Sequence, residues 1–523
     1  MSPIRLFFCT ALASSLLLIS CASVEKHNKR RSEKITVEKL QHDIDYVERK
    51  LFKLHPSLDL YITKEQLSFK FDSIRNVVNK PMTSKEFYFV ISPVIASVHQ
   101  GHMSMIPMTK RYSRKELKRL KKAGEAPLSQ FKYDWENEKL FVIKNNSKFS
   151  DIQLGTEIVA IKNIKPQDLY NKYRQSITSD GYNTTFPRKW FLRRFPVLLS
   201  DEIESNDSLR FEFKYKDSVF FKMINRKKPQ KKERLASGKD TLSKSVRKAN
   251  AKLERKKKKI FGYDTKTKEY SKSLQFLGND KSVAYLKIND FTDGNFRKAY
   301  KILFDSIKKR ESATLVIDLR DNPGGRMNEI MNLYSYLTNQ DFILTQPAIV
   351  TSKTSMWQAG IFSNIPVITY PLAGVAYPFY MGFTYFKVKK KDDGTYYNTI
   401  NSSKLQKPNP NNFGGKIYVL INGGSFSASC ILSTALKANK DITFVGEETG
   451  GDFNGTVAGF MPVLTLPNSK IKWRLGLLDI RPVNQTNVIG HGIYPDKEIV
   501  KTINDIITNK DPELEWVLKE LGK

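Results

Sequence analysis

Twice in its C-terminal half the chain drives an apolar run into a pair of glycines. The runs are Leu315-Val-Ile-Asp-Leu-Arg-Asp-Asn-Pro-Gly-Gly325 and Tyr418-Val-Leu-Ile-Asn-Gly-Gly-Ser-Phe-Ser-Ala-Ser-Cys-Ile-Leu. Short runs of this composition are strands covered on both faces, so the chain must supply covering helices. Similar runs stand at 283–288 and 442–446, and helical patterns lie at 295–309, 328–338 and 427–438. This alternation predicts an α/β core with parallel pairing, closed by a terminal helix over 511–521.

At 523 residues, 40% hydrophobic and 11% aromatic, the chain exceeds one core and can bury several. Leu40, Ile44, Val47 and Leu51 share one helical face. Thr83 or Ser84 can cap a second helix with an apolar side of Phe87, Val90, Ile91, Val94 and Ile95. An N-terminal helical domain over 35–126 follows. Strand-like runs at 139–144, 156–162 and 209–215 then mark a small β domain over 127–225. The α/β domain takes 276–523.

The formal charge of +34 raises the question of an anionic partner. Residues 226–259 hold sixteen Lys or Arg against three acids and no aromatic residue. Such a stretch cannot repay its ordering entropy by burial, and we read 226–275 as a basic, solvated linker. Contact with anionic headgroups is its functional alternative. Nucleic acid is not indicated, because no aromatics are interleaved to stack bases.

At the N-terminus a positive charge at Arg5 precedes an apolar run, 6–19, that is too short to span a bilayer comfortably. Leu18-Ile19-Ser20-Cys21 then resembles the lipobox of bacterial lipoproteins. The resemblance implies a signal peptide over 1–21, lipidation at Cys21, a tether over 22–34, and an exported protein anchored to a lipid bilayer and facing the periplasm. Ala22 stands where an Asp would signal inner-membrane retention, which favours the outer membrane. The other cysteines are Cys9 and Cys430, so on this reading no intrachain disulfide forms.

Glycines at a strand end let consecutive backbone amides face a ligand or a developing negative charge. A serine between a buried strand and a helix has an exposed hydroxyl beside the amides of the helix N-terminus. By residue chemistry alone a structural turn and ordinary caps at Ser425 or Ser429 explain these phrases equally well.

In this order, however, the two phrases resemble those of the tail-specific (C-terminal processing) protease family, which includes the tricorn protease core. The resemblance covers about 281–500 and implies a ClpP/crotonase-like core. It places the nucleophile at Ser427, with Cys430 where the family usually carries Glu, and an oxyanion hole at the amides of Ala428 and of Gly324 or Gly325. Gly155-Thr-Glu-Ile-Val-Ala-Ile-Lys-Asn-Ile164 similarly resembles a strand and turn of a PDZ domain, which makes the β domain PDZ-like.

One branch of the family uses a lysine base, but the matching stretch Val445-Gly-Glu-Glu-Thr-Gly-Gly-Asp452 puts Asp452 there. The tricorn-like branch takes a histidine from an N-terminal helical domain, and Val98-His-Gln-Gly-His-Met103 puts His102 at that position, with Gly101 replacing the usual hydroxyl residue. A neutral imidazole, with an ordinary pKa of about 6.5, can accept the serine proton. His491, in Gly490-His-Gly-Ile-Tyr-Pro-Asp496, is its rival among the six histidines. A third group should orient the imidazole. No Glu matches the family's, and Glu447, Asp452 and Asp496 are the candidates.

Asp318, Arg320 and Asp321 flank the first glycine turn and are read as structural, with Arg320 paired to a carboxylate. No spacing fits a metal's inner ligands, and no cofactor is called for. The resemblance thus implies a serine-type endopeptidase acting through an acyl-enzyme on Ser427, on peptides or unstructured protein tails. The alternative is a catalytically silent peptide- or ligand-binding lipoprotein on the same fold. Oligomeric state is not legible.

Overall fold

The computed structural model describes residues 24–203, 207–228, 243–358, 365–366, 369–438 and 441–523. Cys21, its leader and part of the basic stretch lie outside these. The N-terminal region is a set of helices, Val37–Leu54, Lys64–Val77 and Ser84–Ala96, the last two opened by capping boxes at Thr63 and Thr83. Leu40, Ile44, Val47 and Leu51 are fully buried, as their spacing predicted.

The chain then makes a tight turn through His99, at φ 54°, and enters strand Ser104–Ile106. This strand pairs antiparallel with Lys472–Arg474, far downstream in the α/β domain. Asp43 accepts from the amides of Asn468 (2.9 Å) and Ser469 (2.7 Å), and Ser57 bonds Asp479. One continuous apolar core therefore runs from the N-terminal helices through the α/β domain.

The β domain is a five-stranded antiparallel sheet from Phe131–Glu136 to Ser218–Asn225 in sequence order. Helices Pro166–Arg174 and Thr185–Ile203 are inserted before its fourth strand, Ser208–Tyr215 being that strand. Between these two helices, residues 175–184 form a loop that reaches the α/β domain, where Tyr182 N donates to Gly490 O at 2.7 Å.

The α/β core is a six-stranded sheet in the order Lys497–Glu498, Ile442–Gly446, Lys416–Ile421, Thr314–Asp318, Val283–Ile288, Lys272–Leu277. Its pairs are parallel except for the last, and every residue of Thr314–Asp318 is buried. Helices Phe296–Lys309, Met327–Ser335, Ala428–Lys437 and Pro512–Glu520 occupy the predicted places. The mixed α/β fold is the one the sequence predicted.

Two details depart from expectation. The basic stretch contains a helix, Lys244–Phe261, capped by Ser243 and with no buried residue, where a linker was expected. The core sheet also starts earlier than 276, because Lys272–Leu277 forms its antiparallel edge. There Lys272 is wholly buried and paired with Glu329 at 2.8 Å.

Candidate active site

Strand Lys416–Ile421 ends in Asn422-Gly423-Gly424, and helix Ala428–Lys437 begins with Ser427 at its N-cap. Ser427 has φ 62° and ψ −120°, a strained conformation for a residue with a Cβ. The strain is held by bonds between the two glycine motifs. Phe426 N donates to Asn322 O (2.9 Å), Ser425 Oγ to Leu319 O (2.8 Å) and Ser429 Oγ to Asn322 O (3.0 Å). Both serines are completely buried, so they fasten the turn and only Ser427 offers its hydroxyl.

Gly324 and Gly325 lie against this turn with φ 92° and 145°. A Cβ on Gly324 would stand 2.8 Å from Ala428 N and 2.6 Å from Phe426 O, so only glycine permits the approach. Of the amides assigned to the oxyanion hole, that of Gly324 is already used, donating to Asn322 Oδ1 at 2.9 Å. The amides of Gly325 and Ala428 make no hydrogen bond among the described residues.

His102 meets Ser427. Its Nε2 lies 2.9 Å from Ser427 Oγ. The ring is stacked on Phe426 with centroids 4.8 Å apart, and Phe426 in turn stacks on Phe186 at 4.4 Å. The glycine at 101 has a steric reason, because a Cβ there would sit 2.7 Å from the Phe426 ring. Burial, followed by the nearby Arg474 guanidinium, lowers the His102 pKa to about 3. The imidazole is therefore neutral and able to accept a proton across the ordinary pH range.

None of the three carboxylates named from the sequence orients this ring. Glu447 pairs with Arg188 at 2.7 Å. Asp496 accepts from Lys437 (2.5 Å) and from Phe444 N (2.8 Å) at the sheet end. Asp452 accepts from Tyr61 OH (2.7 Å) and Asn454 N (2.6 Å), and burial raises its pKa.

The ring's other nitrogen, Nδ1, lies 2.9 Å from Thr456 Oγ1, whose hydroxyl points at Asp180 Oδ1, 3.4 Å away. Asp180 also accepts from Gly101 N at 2.7 Å and so holds the turn that carries His102. Asp180 is 2% exposed, and burial raises its pKa to about 7. The network sets the tautomer: Nδ1–H donates to Thr456, leaving Nε2 to accept from Ser427.

The sequence reading missed Asp180 and Thr456. Asp180 comes from the β-domain loop and Thr456 from strand Thr456–Ala458, so three regions of the chain converge on one site. Polar dipeptides such as Asp180-Gly181 and Gly455-Thr456 mark turns and carry no signal of their own.

The rival histidine stands apart, its Nδ1 facing Glu448 (3.3 Å) and Tyr494 OH (2.7 Å). His99 Nδ1 faces Gly181 O at 2.8 Å. Cys430 is buried, and burial pushes its thiol up to about 12, which leaves it inert at neutral pH. Arg320 pairs with Asp318 and Asp511 and holds its loop, as predicted. Among the described residues no cluster of three or more His, Cys, Asp or Glu could hold a metal ion.

Residues 282–499 match the profile of Peptidase family S41, so the chain carries a domain of that family. No curated protein matches the chain. Among solved structures, mature CPAF is similar over 92% of this chain and 96% of its own, at 15% identity and a TM-score of 0.56. Mature CPAF complexed with lactacystin is similar over 93% and 98%, at 16% identity and a TM-score of 0.59. At such identities the likeness is one of fold, and it extends beyond the matched domain to the N-terminal helices and the β domain.

Proposed function

We propose that this chain, with its domain of Peptidase family S41, is a serine-type endopeptidase. One observation carries the reading: the 2.9 Å approach of His102 Nε2 to Ser427 Oγ, made by two elements that meet only in the folded chain. Ser427 attacks a peptide carbonyl while His102 takes its proton. The oxyanion is held by the amides of Gly325 and Ala428, and the dipole of helix Ala428–Lys437 adds to them. His102 then protonates the leaving amine, and water hydrolyses the acyl-enzyme.

Thr456 and Asp180 complete the proposed network. The imidazolium formed during attack is buried, and a neutral hydroxyl alone would stabilise it weakly. Ionised Asp180 polarises that hydroxyl and supplies the compensating charge. The likeness to Peptidase family S41 supports peptides or unstructured protein tails as the substrate class. We infer further that Cys21 is lipidated and holds the protein at a bilayer facing the periplasm, which radiolabelled palmitate incorporation, lost in Cys21→Ser, would test.

A fluorophosphonate probe tests the chemistry directly. Wild type should label at Ser427, while Ser427→Ala should not label and His102→Ala should label at least about 10²-fold more slowly. Folded wild-type protein that fails to label would turn the reading toward a silent binding protein.

A further inference from the structure

Helix Tyr370–Lys387 is 18 residues long, contains no acid, and buries only Thr384 among its described residues. One side is fastened down. Tyr377 OH donates to Trp357 O (2.9 Å), Tyr380 OH to Met356 O (3.1 Å), and Trp357 Nε1 to Thr384 Oγ1 (3.0 Å). The opposite side carries Leu372, Val375, Phe379, Phe383 and Phe386 at spacings of three and four, so they form one stripe. Their exposures are 73%, 70%, 78%, 59% and 81%. From Leu372 to Phe386 the stripe runs about 21 Å along the helix. Isolated exposed apolar residues are ordinary, but a continuous stripe of this length marks a contact surface.

The end of the helix indicates what makes that contact. Lys387, Lys389, Lys390 and Lys391 follow the stripe directly, all exposed and none in a salt bridge among the described residues. Lys387 lies over the Phe383 ring at 4.6 Å, so cation and aromatic face the same side. Aromatic and aliphatic side chains with lysines at one end suit the boundary between acyl chains and headgroups. The lysines and the chain's charge of +34 add attraction to anionic lipid and oppose a second copy carrying the same charge. The helix is not long and apolar enough to cross a membrane.

We propose that the stripe of Tyr370–Lys387 and the lysines following it dock the protein on an anionic bilayer, with the helix lying in the interface plane. This contact is independent of the anchor at Cys21 and of the chemistry at Ser427. It orients the molecule, because an acyl tether fixes only distance from the membrane, whereas a helix in the interface fixes which face looks toward it.

The test is cosedimentation of the full chain carrying Cys21→Ser with vesicles of phosphatidylcholine alone or with 30% phosphatidylglycerol, about tenfold tighter binding being expected on the anionic vesicles. Leu372→Glu, Phe379→Glu and Phe386→Glu together should weaken that binding at least about tenfold with an unchanged melting temperature, because the replaced residues are exposed. Lys389→Gln, Lys390→Gln and Lys391→Gln together should remove the preference for anionic vesicles. Unchanged binding by the glutamate variant overturns the proposal. So does a dimer in sedimentation velocity that the glutamate variant dissociates while vesicle binding stays the same, since the stripe then belongs to a second copy.

Discussion

From Ser427 Oγ the hydrogen bonds run to His102 Nε2 (2.9 Å), from His102 Nδ1 to Thr456 Oγ1 (2.9 Å) and from Thr456 Oγ1 to Asp180 Oδ1 (3.4 Å), so the charge on Asp180 is felt at the imidazole only through a hydroxyl. A hydroxyl in that place fixes no spacing along the chain, and the groups it joins come from three regions. With its pKa near 3, His102 is neutral throughout pH 5–9 and can give no rate limb there. Asp180, raised to about 7, is uncharged below that pH and ionised above it. Fluorophosphonate labelling of Ser427 should therefore quicken as pH rises through about 7 and then level off. Asp180→Asn should abolish the limb and label about 10²-fold more slowly at pH 8. Persistence of the limb in Asp180→Asn would show that another group sets it.

The strands of the central sheet could be read because they are buried on both faces and leave apolar runs. The strands of three residues that position His102 could not, since their pairing is made entirely by tertiary context. Lys244–Phe261 was missed for the opposite reason: its Lys, Arg, Ala and Leu content favours a helix without any burial. The small sheet has the larger consequence. Strand Ser104–Ile106 leaves the His102 turn and pairs with Lys472–Arg474, placing Met105 opposite the fully buried Trp473, and Arg474 Nε donates to His102 O at 2.9 Å. Trp473→Ala should cost about 3–5 kcal/mol in urea unfolding. It should also slow labelling of protein that is still folded, because the base loses its support. Slower labelling without loss of stability, or the reverse, would separate the two roles assigned to this strand.

At the scale of the whole molecule, the N-terminal helices, the antiparallel β sheet and the α/β sheet share one core and one site, and nothing in their linear order reveals that convergence. It has a thermodynamic consequence. His55, in the N-terminal region, and His102, at the convergence, are both buried, and burial lowers each pKa from 6.5 to about 3. Between those values the unfolded chain binds two protons that the folded chain does not, so stability falls as pH falls through the window. Asp180 acts in the other direction. Its folded pKa of about 7 exceeds the ordinary 3.8, so the folded chain holds the extra proton between these values and gains stability as pH falls. From pH 6 to 4 these three groups together leave one net proton favouring the unfolded state, worth about 1.4 kcal/mol per pH unit. His55→Gln removes one histidine from the balance without touching the site. Its urea-unfolding free energy should therefore fall with acid less steeply than that of wild type, by about 1.4 kcal/mol per pH unit over this range. Parallel pH profiles for the two proteins would mean that His55 is protonated in the folded chain and that its burial is not what makes the molecule acid-sensitive.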